Sequence, residues 1–489
     1  MKRLFCFILM ILCFVDDDVC AQIMGTSTNY SGSRGLALNP SLMTTSYVYA
    51  DFGLNLSMSA YNDFIYLKST DYYSLWKYGE TSEYLIYGKS FDYGFDMNGK
   101  SKNLYETVDF NVFSAMFNND GYMAWGIFLN NRIYSNGTKL PWEIAEASVM
   151  GIEGGDYLER NYKSYNGRFG MMAWSELGLS WSKVIHEGYH KKLDFGVTAK
   201  GLLGYLGLNL NLNEVDKDIY TADSIMIHKV DLQAAISGPV DYTAKFDGGN
   251  IFDAGNLVNG LGVGFDIGFS YTYNKDYNTR HVIGRPCEIR RIPYVWRLGV
   301  SLLDVGAIHY NKNARTYKMF SDKDSKFDGQ KLDGVQDFDE MMERLGDMFY
   351  DDPSQMRGND DFWMGLPTAL SVQLDYSFEK NYYLNVTWVQ PVKLFDYSAY
   401  RPALFVVEPR YEKKFFDIAI PVTYYNYEKF FLGVEARLDF LTIGTQNLFN
   451  AFGVGYSYGL DLYVALKFNL YKERCSGDKG DDCWNFNYR

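Results

Sequence analysis

His186 and His190 stand four positions apart with Glu187 beside the first, the spacing H-E-x-x-H. On a helix that spacing puts two imidazoles on one face, one turn apart, where they hold zinc while the glutamate activates water. Here the five residues contain Gly188, run into Lys191-Lys192 and fall between two strand-like segments, so a hairpin turn is expected. Asp322, Asp324 and Asp328-Gly329 have the composition of a calcium loop, but lack the EF-hand spacing and its closing glutamate. With 5 histidines in the chain, His228 and His309 fall on strand-like segments, yet no serine is set beside them in the pattern of a hydrolase. A phosphate-cradling glycine loop is also missing. The expectation is a protein that is not an enzyme and that carries no cofactor or metal.

Composition narrows the class. The formal charge of -13 disfavours nucleic acid, whose phosphates want a basic surface. An apolar content of 47%, with 42 Tyr and 34 Phe, is enough to drive folding and argues against disorder. Many aromatics and 45 Gly suit strands with tight bends.

The amino terminus reads as an export leader. Lys2 and Arg3 precede the apolar run Leu4–Val15, which is too short to span a bilayer, and Val19-Cys20-Ala21 offers a small-residue cleavage pattern. Residues 1–21 are expected to be removed, although Asp16-Asp17-Asp18 is unusual before such a site. A lipoprotein reading of Cys20 fits less well, because Asp18 and Val19 precede it. Of the cysteines left, Cys475 and Cys483 enclose a Gly- and Asp-rich loop. They would close a small disulfide in an oxidising compartment, or stay as two thiols in a tail.

The rest of the chain alternates. Leu261, Val263, Phe265, Ile267, Phe269 and Tyr271 share one face of a strand; Gly262, Gly264, Asp266, Gly268, Ser270 and Thr272 share the other. The same period marks strands over 47–59, 106–117, 122–134, 172–185, 192–207, 225–237, 260–273, 294–308, 368–379, 381–391, 403–412, 415–426, 429–442 and 457–470. These are fourteen, an even number, and most reach the ~9–11 residues that cross a bilayer when tilted. Aromatics gather near strand ends (Tyr271, Tyr273, Tyr294, Trp296, Tyr382, Trp388), as interfacial girdles do. The expectation is an all-β, antiparallel, up-and-down transmembrane barrel over 47–471, sitting in outer-membrane lipid. A secreted sandwich or propeller is the alternative.

Three stretches fall outside the pattern. Residues 22–46 precede the first strand and would either fold into the barrel as a hatch or hang from it as a tail. Residues 60–105 and 135–168 read as long connections, with a short helix starting at Pro141. The acidic insertion 310–366 carries Phe338, Met341, Met342, Leu345, Met348 and Phe349 at helical spacing on one face. That helix would cover the barrel mouth or dock a partner. Counting strands from a periplasmic start puts the insertion in the periplasm, against the habit of short turns there, so its side stays open. Residues 472–489 form a tail.

Alternation also sorts the polar residues. Asp51, Glu176, Lys200, Lys229, Asp231, Asp266, Arg297, Asp375, Glu435, Arg437, Asp439 and Lys467 fall on the face expected to line the lumen. Mixed signs favour a rigid hydrogen-bonded filling over a selectivity ring.

Ser33–Leu42, Gly262–Gly268, Gly299–Gly306 and Pro409-Arg410-Tyr411 resemble motifs of the fatty-acid-transporter-like (FadL-like) barrels and their relatives in type IX secretion (PorV-like). The resemblance covers nearly the whole chain after the leader. It implies a fourteen-stranded outer-membrane barrel with an N-terminal hatch, through which an apolar or amphipathic small molecule passes. The matching hatch positions are Gly35, Asn39 and Pro40; Ser41 follows where a small Ala is expected. The alternative it leaves open is a non-transporting barrel that partners secretion or surface machinery.

Overall fold

The computed structural model describes residues 25–68, 93–96, 98–119, 121–143, 145, 160–221, 224–245, 254–275, 294–448 and 456–471. The expected leader and the tail with Cys475 and Cys483 lie outside the described residues.

The chain begins with two short 3-10 segments, Gly32–Ala37 and Pro40–Thr45. Strands follow in order: β1 (Ala50–Asn62), β2 (Ile65–Lys68), β3 (Tyr93–Phe95), β4 (Lys102–Asn119), β5 (Met123–Leu140), β6 (Arg160–Glu187), β7 (Lys191–Thr221), β8 (Ser224–Ser237), β9 (Gly260–Asn274) and β10 (Tyr294–Tyr310). The acidic insertion holds β11 (Ala314–Ser321), β12 (Ser325–Asp328) and a helix α1 (Phe338–Phe349). Then come β13 (Phe362–Gly365), β14 (Ala369–Glu379), β15 (Tyr382–Pro391), β16 (Leu404–Lys413), β17 (Phe416–Ala419), β18 (Val422–Tyr425), β19 (Lys429–Leu432), β20 (Val434–Leu438), β21 (Leu441–Thr445), β22 (Tyr456–Ser457) and β23 (Gly459–Leu470).

The wall is a closed antiparallel barrel of 14 strands. Closure is made by β1, which pairs with β4 on one side and with β23 on the other, Ala50 facing Leu470 and Tyr61 facing Gly459. The segment pairs β13/β14, β17/β18 and β19/β20 each act as one wall strand with a break inside. One end of the barrel carries tight turns. Between β14 and β15, Lys380 and Asn381 both have positive φ, 54° and 71°, the conformation a two-residue hairpin requires. The other end carries most of the long connections; the link between β9 and β10, 275–293, leaves from the turn end, and 276–293 lie outside the described residues.

Every second wall residue points out and is apolar. Leu261, Val263, Phe265, Ile267 and Phe269 are each 45–63% exposed, and Phe52, Leu54, Trp125, Ile127, Leu177, Leu179, Leu298, Val300, Leu374, Phe405, Ile443 and Leu462 continue the belt around the barrel. A continuous apolar belt of this size is unfavourable in water and favourable against acyl chains. Aromatic rings rim it: Trp296 stacks 6.0 Å from Tyr273 at the turn end, and Trp363 stacks 4.7 Å from His309 at the loop end. Among the described residues no helix is long and apolar enough to cross a membrane.

Two corrections to the expected strands cancel. The segment 225–237 is not a wall strand. β7 is 31 residues long; its first part, Lys191–Gly204, pairs in the wall with β9, and its remainder, Gly207–Thr221, pairs with β8. β8 pairs in turn with β11 and β12, so β6, β7, β8, β11 and β12 extend beyond the wall as a sheet, here called the arm. The arm alternates because one face is covered by α1, so by period alone it reads like a wall strand. The missing wall strand is β21, five residues hidden behind the turn at Asp439, whose φ is 52°. With β8 out of the count, the acidic insertion leaves β10 at the loop end, together with the other long connections.

α1 forms where the apolar spacing places it. Asp337 caps it, accepting the Glu340 N–H at 2.9 Å, and Glu340 reaches back to the Gln336 N–H at 2.8 Å. Its apolar face does not close the barrel mouth: Phe338, Met342 and Leu345 pack on Ile236, Tyr242, Tyr317 and Met356 of the arm.

The arm tip holds one titratable clasp. His228 on β8 lies 3.0 Å from Asp218 of β7 and 2.8 Å from Asp324 in the β11–β12 turn. Hydrogen bonds to Asp324 and then Asp218 raise its pKa to about 9. A folded-state value above the unfolded ~6.5 means the clasp is fully present below that pH and is lost as pH rises through about 9. Amide exchange around residues 321–325 is expected to quicken between pH 8 and 10 after correction for intrinsic rates, and not in His228→Ala. An identical profile in both proteins would rule the clasp out.

Candidate functional site

The N-terminal segment lies inside the barrel. Asn29, Leu38, Asn39, Ser41 and Met43 are all at most 2% exposed. Pro40 opens the second 3-10 segment, with Asn39 as its cap: the Asn39 carboxamide oxygen accepts the Ser41 N–H at 3.0 Å and its hydroxyl at 2.7 Å. The Asn39 amide donates to the Phe269 carbonyl at 3.1 Å and to Gln373 Oε1 at 3.0 Å. Gly35 supplies the carbonyl that accepts the Leu38 and Asn39 N–H groups at 3.1 and 2.9 Å.

Glycines in the wall make room for this segment. A Cβ at Gly268 would stand 2.0 Å from Asn39 Oδ1, and one at Gly196 would stand 2.4 Å from the Pro40 carbonyl carbon. Gly268 of β9 and Gly196 of β7 are therefore fixed by the segment, whereas Gly262 and Gly264 of β9 pack against Ile308 and Leu366 instead. Gly268→Val is therefore expected to leave the wall intact while displacing Asn39-Pro40. Thiol labelling of a Leu38→Cys probe, buried beside Asn39, should rise at least tenfold in that background and stay low in Gly201→Ala, whose Cβ meets nothing within 4 Å. Unchanged labelling would refute the fit.

Wall side chains bind the segment's backbone and polar groups. Lys467 donates to the Ser31 carbonyl at 2.8 Å and to that of Tyr30; Ser301 donates to the Leu38 carbonyl at 2.7 Å; Lys192 donates to the Thr44 carbonyl at 3.1 Å. Asp51 accepts the Ser33 N–H at 2.9 Å and lies 3.7 Å from Lys467. Arg297 donates to Asn29 Oδ1 at 2.8 Å and Thr45 Oγ1 at 2.9 Å. The Asn29 amide donates to Glu412 at 2.8 Å; Glu412 and Asp375 flank Arg410, the latter at 2.8 Å. Glu435 lies 3.7 Å from Arg34, whose guanidinium sits 4.6 Å over the Tyr463 ring. Arg437 pairs with Asp417 at 2.5 Å.

Above the segment, toward the loop end, is a second layer: a chamber of about 110 Å³. Asp304 is its centre, bound by Lys200 at 2.6 Å, by Arg132 at 3.0 Å and by Arg401. Lys200 also meets Asp266 at 2.8 Å, and Arg132 meets Asp109 at 2.8 Å and Glu176 at 3.3 Å. Asp304 has φ 53° and interrupts the β9–β10 ladder between Leu302 and Val305, its N–H donating at 2.7 Å to the Asp266 carboxylate. Arg132 also covers the next layer, 4.9 Å from the Tyr134 ring and 5.1 Å from Trp174. Those rings belong to a buried apolar cluster with Met172, Leu202, Ile308, Tyr310, Phe362, Met364 and Leu366.

Of the residues expected in the lumen, Glu176, Lys200 and Asp266 meet in this chamber, while Asp51, Arg297, Asp375, Glu435, Arg437 and Lys467 line the lower layer. Three do not belong there. Asp231 and Lys229 sit on the arm, where Lys229 pairs with Glu214 at 2.5 Å. Asp439 is in an exposed turn. Each follows from the miscounted strand or the hidden turn. Alternation missed Arg34, Arg132, Asp304, Arg401 and Arg410. One clue was available for Asp304: the pair Leu302-Leu303 breaks the period just before it.

In the pentapeptide His186–His190, His186 and Glu187 end β6 and Gly188–His190 turn into β7, with His190 Nδ1 3.3 Å from the Asn274 carbonyl, and none of it is helical. Asp324 clasps His228, and Asp328 caps a short 3-10 turn through the Gln330 N–H at 3.1 Å.

Residues 26–446 match the family described as "Family of unknown function (DUF5723)". The chain belongs to that family. The sequence has no match among curated proteins. Among solved structures, this DUF5723 member is similar to the TodX deltaS2S3 mutant monoaromatic hydrocarbon channel, with 11% identity over 91% of this chain and 95% of that one and a TM-score of 0.41. The Pseudomonas putida toluene transporter TodX is 8% identical over 92% and 97%, with a TM-score of 0.32. A Pseudomonas aeruginosa FadL homologue is 8% identical over 88% and 92%, with a TM-score of 0.26.

Proposed function

We propose that this DUF5723 barrel sits in an outer membrane with its loop end outward, and that it passes a small amphipathic molecule through a lumen gated by residues 25–46. Mostly short turns at one end, the link 275–293 excepted, and mostly long connections at the other support this orientation. The observation that carries the reading is the layering of the lumen. An aromatic apolar layer lies directly on a charged chamber, and the chamber rests on a segment that continues through residues 47–49 into β1 and is otherwise held to the wall by hydrogen bonds and ion pairs. An amphipathic molecule matches two such layers in sequence. A pure hydrocarbon does not match the charged one, so the expectation of a purely apolar cargo gains no support from this lumen.

The alternative is a barrel that transports nothing and serves secretion or surface machinery. The many hydrogen bonds that seat the N-terminal segment favour it, because they leave the lumen closed. Uptake decides between the two. Deleting residues 25–46 behind an intact leader should raise entry of a small amphipathic dye into cells or proteoliposomes at least several-fold. Unchanged entry, in a variant that still shows the gel shift of a folded barrel, would overturn gating and leave the structural reading.

A further inference from the structure

The chamber's charges are spent chiefly on one another, while Arg34, which also lines it, pairs with Glu435 of the layer below at 3.7 Å. Asp109 and Glu176 face Arg132, Asp266 faces Lys200, and Asp304 faces Arg132, Lys200 and Arg401. An incoming anion or cation would have to break a buried pair to find its partner, a costly exchange. The hydrogen-bonding capacity that remains is uncharged. On the β1–β4 side of the chamber, the Ser57 hydroxyl and the Asn111 carboxamide oxygen have no hydrogen-bond partner, and the two residues are 3% and 7% exposed. The Asn111 amide itself is used, donating to Asn130 Oδ1 at 2.5 Å, and Asn130 donates onward to Glu176 at 2.9 Å. What is left open is one hydroxyl and one acceptor. Buried groups of this kind cost free energy until they are bonded.

We infer that the chamber is a recognition site for a small uncharged group rich in hydroxyl or N–H donors, such as a polyol. At about 110 Å³ the chamber exceeds several-fold the ~10–15 Å³ that admits a single water, room for a small polyol. Such a group is found free, as glycerol, or as the head of a single-chain lipid, as in a monoacylglycerol. The inference deepens the amphipathic-cargo reading and rests on it: the head would occupy the chamber, and a chain would lie against Tyr134, Trp174 and Leu202 above.

The test is equilibrium binding to the full-length protein in nanodiscs, with four probes: glycerol, monooctanoylglycerol, octanoate and octylamine. Saturable binding of monooctanoylglycerol, at least tenfold tighter than octanoate or octylamine, is expected. Glycerol binding as well as monooctanoylglycerol would make the head alone sufficient; binding only of the lipid would show that both layers are needed, and either result supports the site. Ser57→Ala and Asn111→Leu should each weaken the tightest probe about 3- to 10-fold, the loss of one hydrogen bond. Tighter binding of either charged probe, or wild-type binding in the double variant, would overturn the inference. Should a variant fail to fold, the ranking of the four probes on the unaltered protein decides alone. Failure here is separable from failure of gating: an uptake increase without polyol binding sinks only the chamber assignment, and polyol binding without an uptake effect sinks only the gate.

Discussion

Asp304→Asn is expected to destabilise the folded barrel by about 3–5 kcal/mol, the usual cost of removing one partner from a buried ion pair. Asparagine tolerates the positive φ and keeps the side-chain volume, so the substitution isolates charge. The loss is uneven. Arg132 keeps Asp109 and Glu176, and Lys200 keeps Asp266. Arg401 keeps its hydrogen bond to the Pro367 carbonyl, at 2.9 Å, and only a longer-range attraction to Asp109. A buried guanidinium reduced to one neutral acceptor is the main source of the penalty. Urea titration of the barrel refolded in lipid vesicles, read by gel mobility without boiling, measures it. Asp304→Asn combined with Arg401→Met should recover more than half of the loss. A single variant within about 1 kcal/mol of the unaltered protein would show that the cluster is wet and screened, contrary to its burial.

Phe265→Arg comes next, at roughly 2–4 kcal/mol if the residue meets acyl chains near mid-height. Phe265 is 49% exposed in the middle of β9, and Val434 on β20 points to the same side of the wall. Tyr220 on the arm is 50% exposed, almost the same fraction, yet it lies outside the wall. Tyr220→Arg should therefore change stability by less than ~0.5 kcal/mol, as surface substitutions do. The contrast uses two residues of equal exposure to ask which solvent each one meets. Equal tolerance at both would mean that the belt faces water.

Much of the barrel was legible in the sequence because a wall strand has two unlike faces. The run Leu261–Tyr271 shows both, and one of its glycines, Gly268, lies where Asn39 and Pro40 press against the wall. What could not be read is neighbourhood. Period two says that Glu176, Lys200 and Asp266 point inward; it says nothing of the register that sets β6, β7 and β9 side by side. Asp304 escaped for a different reason: its bulge breaks the alternation that identifies inward residues. The arm was misread because a helix-covered sheet and a lipid-covered wall impose the same pattern on a strand. The turn at Asp439 joined two strands into one, since Leu438 and Phe440 continue the apolar beat across it.

β7 passes from the wall into the arm without a break. Beyond Gly204 it continues for roughly 17 residues, about 55 Å of extended chain at ~3.3 Å each. Half a bilayer's polar zone is far thinner than that. With the loop end outward, as proposed, anything that approaches from outside would meet a mast before a mouth: a stiff sheet, faced with an acidic helix and rooted by the two unbroken strands β6 and β7.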